Sequence, residues 1–300
     1  MIVMEVKKVE VGNGFELQMP AVYDELKRKA EEEIEKSIAR YPKARKMWEL
    51  LKDDPEVNAC WDIANYIAVA KLGYNDHGEV HAKIVAANAL KMLDILLEHN
   101  ILPDVMKEHA GDEDDAHLIV LAAALLHDIG NTVHRKDHPL HSVYLAVPIL
   151  NRILPQIYDS PEIAYEIRGH ILHCIYSHGH AIKDLTIEAS LVGIADGTDM
   201  TKGRGRLAFD TGNINIHTVS ALSIEDVKIV KGYEKPIKIL VEMSNSAGVF
   251  QVQETLGPKI KDSPLEEYIE IEAYTRPPGH TVDQRIVHRI VISEGKLKPR

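Results

Sequence analysis

Aromatic residues are scarce in this 300-residue chain, 5% by count, so a core of ordinary size must be built from Ile, Leu, Val and Ala. Two cysteines, Cys60 and Cys174, are too few for a disulfide framework and point to a reducing compartment. A basic excess is missing as well: 35 Lys and Arg stand against 46 Asp and Glu, a formal net charge of −11. That argues against a general nucleic-acid binder but leaves room for a small phosphorylated ligand held by a few local cations. No apolar run reaches the roughly 18 residues needed to span a bilayer, and the opening MIVMEVKKVE lacks the apolar core of a signal peptide. There is no internal repeat and no low-complexity linker. The expectation is a soluble, cytoplasmic protein without a membrane partner, compatible with a homo-oligomer.

What the chain has in quantity is histidine, sixteen in all. Histidine is a frequent metal ligand and also an ordinary surface residue, so placement decides. The most informative stretch is Leu118–Asn131, LIVLAAALLHDIGN, an apolar run that ends on His127-Asp128. Two adjacent ionisable groups under an apolar element are costly unless something neutralises them. An imidazole nitrogen beside a carboxylate oxygen is a good donor pair for a divalent metal, and the negative end of a helix favours a cation there. Gly130 reads as a left-handed C-terminal stop.

Around that stretch the pattern is helical. Residues 1–19 suggest a short strand or arm turning at Gly12-Asn13-Gly14. Pro20 opens a charged helix to about Arg40 with the stripe Val22, Leu26, Ala30, Ile34 and Ile38. Further helices are expected over about 44–52, from Asp54-Pro55, and from His77 to His99, the last begun by Asp76 with Glu79 in capping-box spacing. Asp114 or Asp115 is the expected cap of the helix ending at His127-Asp128. His138-Pro139 starts another, which Pro148 would kink or end, and Ser160-Pro161 starts one running to about Tyr176. Thr186 opens a last helix carrying Asp196 and Asp199. After about residue 210 alternating segments (227–230, 236–243, 268–275, 284–292) read as strands around one amphipathic helix, about 247–261. The fold expected is mainly α: a helical domain over 1–209, its core about 70–206, followed by a small α+β subdomain over 210–300.

His81, the pair His127-Asp128, and Asp196 as a set resemble the HD superfamily of metal-dependent phosphohydrolases, and the HDIG of residues 127–130 is the form usual there. The resemblance covers roughly residues 70–206. It implies an all-helical bundle whose ligands leave an open position for water and a phosphate oxygen. The activity implied is hydrolysis of a phosphoester, in a nucleotide or similar small molecule, by a metal-bound hydroxide. Dinuclear members such as the HD-GYP phosphodiesterases add histidines between the HD pair and the last Asp, and they carry a carboxylate four residues before the first His. The matching positions here are His138, His170 and His173, with His178 and His180 as further candidates. His77 occupies the carboxylate position and is read as a surface or supporting residue. The GYP motif is absent. Histidine density favours two ions, of Mn, Fe, Mg, Ni, Co or Zn, with Asp128 able to bridge them.

Asn131 stands where superfamily members often carry Lys, and it can orient a phosphate or water without supplying charge. The cation is expected from Lys202, Arg204 or Arg206 in KGRGR, whose glycines let backbone amides approach a phosphate. Asp199, about one turn after Asp196, is expected to orient a ligand or accept a proton. Two other functions fit the same residues. Some superfamily members activate oxygen at a di-iron centre, and a non-catalytic nucleotide sensor would bind without turnover. Phosphohydrolysis is the reading preferred here.

Overall fold

The computed structural model describes residues 6–11, 15–20, 23–179, 181–201, 220–275, 289–293 and 296–299. An antiparallel hairpin of β1 (Val6–Val11) and β2 (Phe15–Pro20) precedes the helices. Pro20 thus closes a strand rather than opening a helix. The helices are α1 (Tyr23–Ser37), α2 (Pro42–Lys52), α3 (Pro55–Asn65), α4 (Glu79–Glu98), α5 (Asp104–Lys107), α6 (Glu113–Leu126), α7 (His138–Ile153), α8 (Pro161–Ser177) and α9 (Ile187–Thr198). Pro148 lies inside α7 and does not end it. Among the described residues no helix is long and apolar enough to cross a membrane.

Helix α6 is the axis of the bundle. From Leu118 to Leu126 every residue is fully buried, and α2, α4, α8 and α9 pack around it. A helix that is apolar on all sides can only be central. The charged groups at its two ends must therefore find partners inside the protein. At the N-terminal end Asp112 is the cap, with Asp115 completing a capping box, in place of the expected Asp114 or Asp115. Asp114 instead accepts the amides of Lys43 and Ala44 at 2.9 Å, holding the start of α2, whose own flanking Tyr41 gives no side-chain cap. The C-terminal end carries His127 and Asp128.

Gly130 has no left-handed conformation; among described glycines only Gly73 does. It lies in a 3-10 turn, Ile129–Thr132, pressed against the start of α7, where a Cβ would overlap the His138 carbonyl and the Ser142 amide. The glycine is required by close approach, not by backbone handedness.

Beyond residue 220 the chain forms a sheet in the order β3 (Ile224–Lys231), β4 (Ile237–Met243), β5 (Ile269–Thr275), β6 (Arg289–Ser293), β7 (Lys296–Pro299). Strands β4 and β5 are parallel and all other neighbours antiparallel. A parallel pair needs a crossover. Here it is the helical segment Gly248–Gln251, Val252–Leu256 and Gly257–Ile260, with a π turn in the middle. The crossover packs on α9. The mainly helical fold with a small α+β region is as expected, the helix expected over about 247–261 being the crossover and the strand Lys296–Pro299 an addition; of the expected strand 284–292, residues 284–288 lie outside the described residues.

Candidate metal centre

Seven side chains meet where α4, α6, α7, α8 and α9 come together. His77 precedes α4 and His81 sits in its first turn; His127 and Asp128 follow α6. His138 begins α7, His178 caps the end of α8, and Asp196 comes from the last turn of α9. Asp128 is at the middle. Its Oδ2 faces His77 Nδ1 at 2.6 Å, His81 Nε2 at 3.4 Å and His127 Nε2 at 3.7 Å. Its Oδ1 faces His138 Nε2 at 3.1 Å and His178 Nε2 at 3.8 Å. Asp196 Oδ1 closes the first side, 3.2 Å from His81 Nε2 and 3.9 Å from His127 Nε2.

The protonation of these imidazoles follows from their outer nitrogens. Nδ1 of His127, His138 and His178 lies 2.7, 3.0 and 2.6 Å from the carbonyl three residues earlier, of Ala124, Arg135 and Ile175. A carbonyl only accepts, so each Nδ1 carries the proton and each Nε2 offers a lone pair. His81 Nδ1 is held the same way by Asp199 Oδ2 at 2.7 Å. The inner nitrogens then point at one another: His81 Nε2 is 3.2 Å from His127 Nε2, and His138 Nε2 is 3.1 Å from His178 Nε2. Two neutral lone pairs at that distance repel unless a cation lies between them. Donor separations of roughly 3–3.5 Å are those of ligands about 2.1 Å from a shared ion. The donor set therefore fits a divalent metal, and the residues form overlapping metal-capable groups: His77/His81/Asp128, His81/His127/Asp196 and His127/Asp128/His178.

Burial pushes His127 below the usual imidazole range, and burial with the neighbouring His127 and His138 pushes His178 well below it, so both stay neutral and able to ligate at pH 7. For Asp128 burial acts upward but is outweighed by its imidazole neighbours His127, His77 and His138, which hold the carboxyl well below its ordinary range. Asp196 behaves alike, with Lys259 the strongest force against burial. A pocket of neutral imidazoles and ionised carboxylates is what a metal needs.

The structure brings together His81, His127, Asp128, His138 and Asp196 from the set expected by sequence. Asp199 lies behind His81, bonded to it. Asn131 is buried beside the cluster: its Nδ2 donates to the Asp128 carbonyl at 2.9 Å and its Oδ1 accepts from Arg135. It holds backbone and Arg135 in place and does not face the open side. His170 and His173 lie within α8 and join none of the converging groups among the described residues. His173 lies about one turn and His170 about two turns before the end of the helix, and it is His178, just past that end, that joins the converging side chains. Lys202, Arg204 and Arg206, like His180, lie outside the described residues.

Sequence reasoning missed Arg135 and Lys259 and left His77 open between a surface and a supporting residue. His77 is buried and bonded to Asp128 rather than on the surface. A usable signal existed for His178: like His127, it is a histidine in the residue that ends a long apolar helix. Arg135 Nη1 stands 3.7 Å from Asp128 Oδ1 and 3.4 Å from His138 Nε2, one-third exposed. Lys259 Nζ bonds Asp196 Oδ2 at 2.7 Å. These are two cations at the centre, neither from the expected basic loop.

Comparison with known proteins agrees with this geometry. The family described as HD domain matches residues 80–201. An uncharacterised protein of Methanocaldococcus jannaschii is 51% identical over 225 residues, covering 75% of this chain and 86% of that protein. No solved structure matches.

Proposed function

The chain belongs to the HD-domain family, and from that premise we propose that it is a phosphohydrolase cleaving a phosphoester of a nucleotide or related phosphorylated small molecule with two divalent ions. The observation that carries the reading is the division of Asp128. One of its oxygens faces His81 and His127, with Asp196 alongside; the other faces His138 and His178. In this reading His81, His127, Asp196 and Asp128 hold one ion, and His138, His178 and Asp128 hold the other.

His77 has a supporting part. Its 2.6 Å separation from Asp128 Oδ2 is a hydrogen-bond length and short for two ligands of one ion, so it orients the shared carboxylate. Asp199 keeps His81 in the tautomer that presents Nε2. A divalent ion in such a site supplies a Lewis acid for phosphoryl oxygens and acidifies water. Arg135, at the half-exposed edge beside His138, is placed to receive a non-bridging phosphate oxygen and to offset charge that grows during transfer. That local cation reconciles a phosphorylated substrate with the acidic balance of the chain.

The test is elemental analysis of protein purified without chelator, followed by phosphate release from a panel of phosphomonoesters and phosphodiesters with Mn²⁺ or Mg²⁺. Two ions per chain and metal-dependent release are expected, with Asp128→Ala losing activity on the order of 10³-fold. Full activity in that variant, or iron with oxygen consumption and no phosphate released, would overturn the proposal.

A further inference from the structure

We propose that Lys259, from the C-terminal α+β region, is a positioning residue of the metal centre, one ammonium holding two of its ligand-bearing residues at once. The proposal rests on the metal-centre reading above. Lys259 lies in the last turn of the crossover between β4 and β5, far in sequence from every ligand. Its Nζ donates to Asp196 Oδ2 at 2.7 Å and to the His178 carbonyl at 2.7 Å, and its side chain is only 10% exposed. An ammonium so buried is tolerable only with acceptors of this kind.

Each contact has a distinct consequence. Asp196 presents Oδ1 to His81 and His127 and Oδ2 to Lys259, on opposite sides. A carboxylate gripped on one oxygen by a charged donor cannot swing about its Cβ–Cγ bond, so the other oxygen stays aimed at the ligand cluster. The His178 carbonyl belongs to the end of α8, where carbonyls lack helical partners and carry the negative end of the dipole. Binding it anchors the backbone from which the His178 ring projects. The approach is made possible by Gly197, next to Asp196. A Cβ there would lie 3.0 Å from Lys259 Cδ and 3.3 Å from both Leu256 Cδ1 and the Thr255 carbonyl.

Metal binding and docking of the crossover segment are then reciprocally linked: each strengthens the other by the same factor. The test uses the full chain and Mn²⁺ alone, titrated by calorimetry, with amide exchange of Gly257, Lys259 and Ile260 followed in parallel. Lys259→Met should bind Mn²⁺ about 10- to 100-fold more weakly. It should also lose the slowing of exchange that Mn²⁺ causes in wild type, while its helix content stays unchanged. Lys259→Arg, which keeps the charge and both donors, should recover most of the affinity, and it reports by itself if the Met variant does not fold. Wild-type Mn²⁺ affinity in Lys259→Met, with or without a raised KM for substrate, overturns the proposal. Asp128→Ala separates the two readings: if that variant also binds Mn²⁺ like wild type, the metal-centre reading itself has failed. If Asp128→Ala loses Mn²⁺ and Lys259→Met does not, only the positioning role has.

Discussion

The two oxygens of Asp128 look into differently built halves. On the Oδ2 side, the imidazoles of His77, His81 and His127 are 8% exposed or less, and each residue is tied at a second point to the surrounding fold, while Asp196 alongside them is 22% exposed and held by Lys259. On the Oδ1 side His178 is equally buried, but His138 is 13% exposed and Arg135 34%. On the proposed reading, the more enclosed imidazoles retain an ion, whereas the edge with a guanidinium admits an anionic group, so that one carboxylate separates a holding half from a receiving half.

Single imidazoles removed from each side give the largest test of that contrast. His81→Ala should lose both the retained ion and hydrolysis, the latter on the order of 10³-fold. His138→Ala should leave one ion per chain and cost about 10- to 100-fold in activity. Metal counted by elemental analysis decides it; equal metal loss in both variants would erase the distinction between the halves. A smaller effect isolates the open edge: Arg135→Met should raise KM about tenfold and leave the metal count alone. An unchanged KM would take the substrate away from that edge.

The smallest test sets Asp128 against a carboxylate that lacks its imidazoles. Asp184 is partly buried, its Oδ2 and the His178 carbonyl both beside Gly193, and burial pushes its carboxyl up to about 6 despite the opposing charge of Lys259. Between the ordinary carboxylate range and pH 6 the folded chain therefore holds a proton that the unfolded chain has lost. Stability falls as pH rises through that window, and the burial cost is fully expressed above it. Asp184→Asn should then stabilise by on the order of 1–2 kcal/mol near neutral pH and by little near pH 4, read from thermal unfolding against wild type. The same gain at both pH values would mean that ionisation is not the cause.

Much of this was legible before folding. The apolar run of α6 announces a central helix, and a His-Asp pair at its end demands a counter-charge. His81 and Asp196 could be named because they stand near the ends of other apolar helices in a recognisable order. Legibility failed where contact, not pattern, decides. Gly130 suggested a left-handed stop and is instead a point of close approach to α7. His170 and His173 looked like a pair because of their spacing, but neither joins the converging groups, which take from α8 the histidine just past its end. Asp114 suggested a cap for its own helix and caps α2.

By itself the sequence determined the helical bundle, the later α+β region and the candidate donors His81, His127, Asp128 and Asp196, because apolar periodicity and the chemistry of adjacent donors are local properties written along the chain. Tertiary structure alone decided the division of Asp128 between two sets of imidazoles, the choice of His178, and the entry of Arg135 and Lys259. Lys259 meets Asp196 across 63 residues of chain. No local pattern encodes such a meeting, because it depends on how a crossover segment seats on α9 at a glycine that lets it come close.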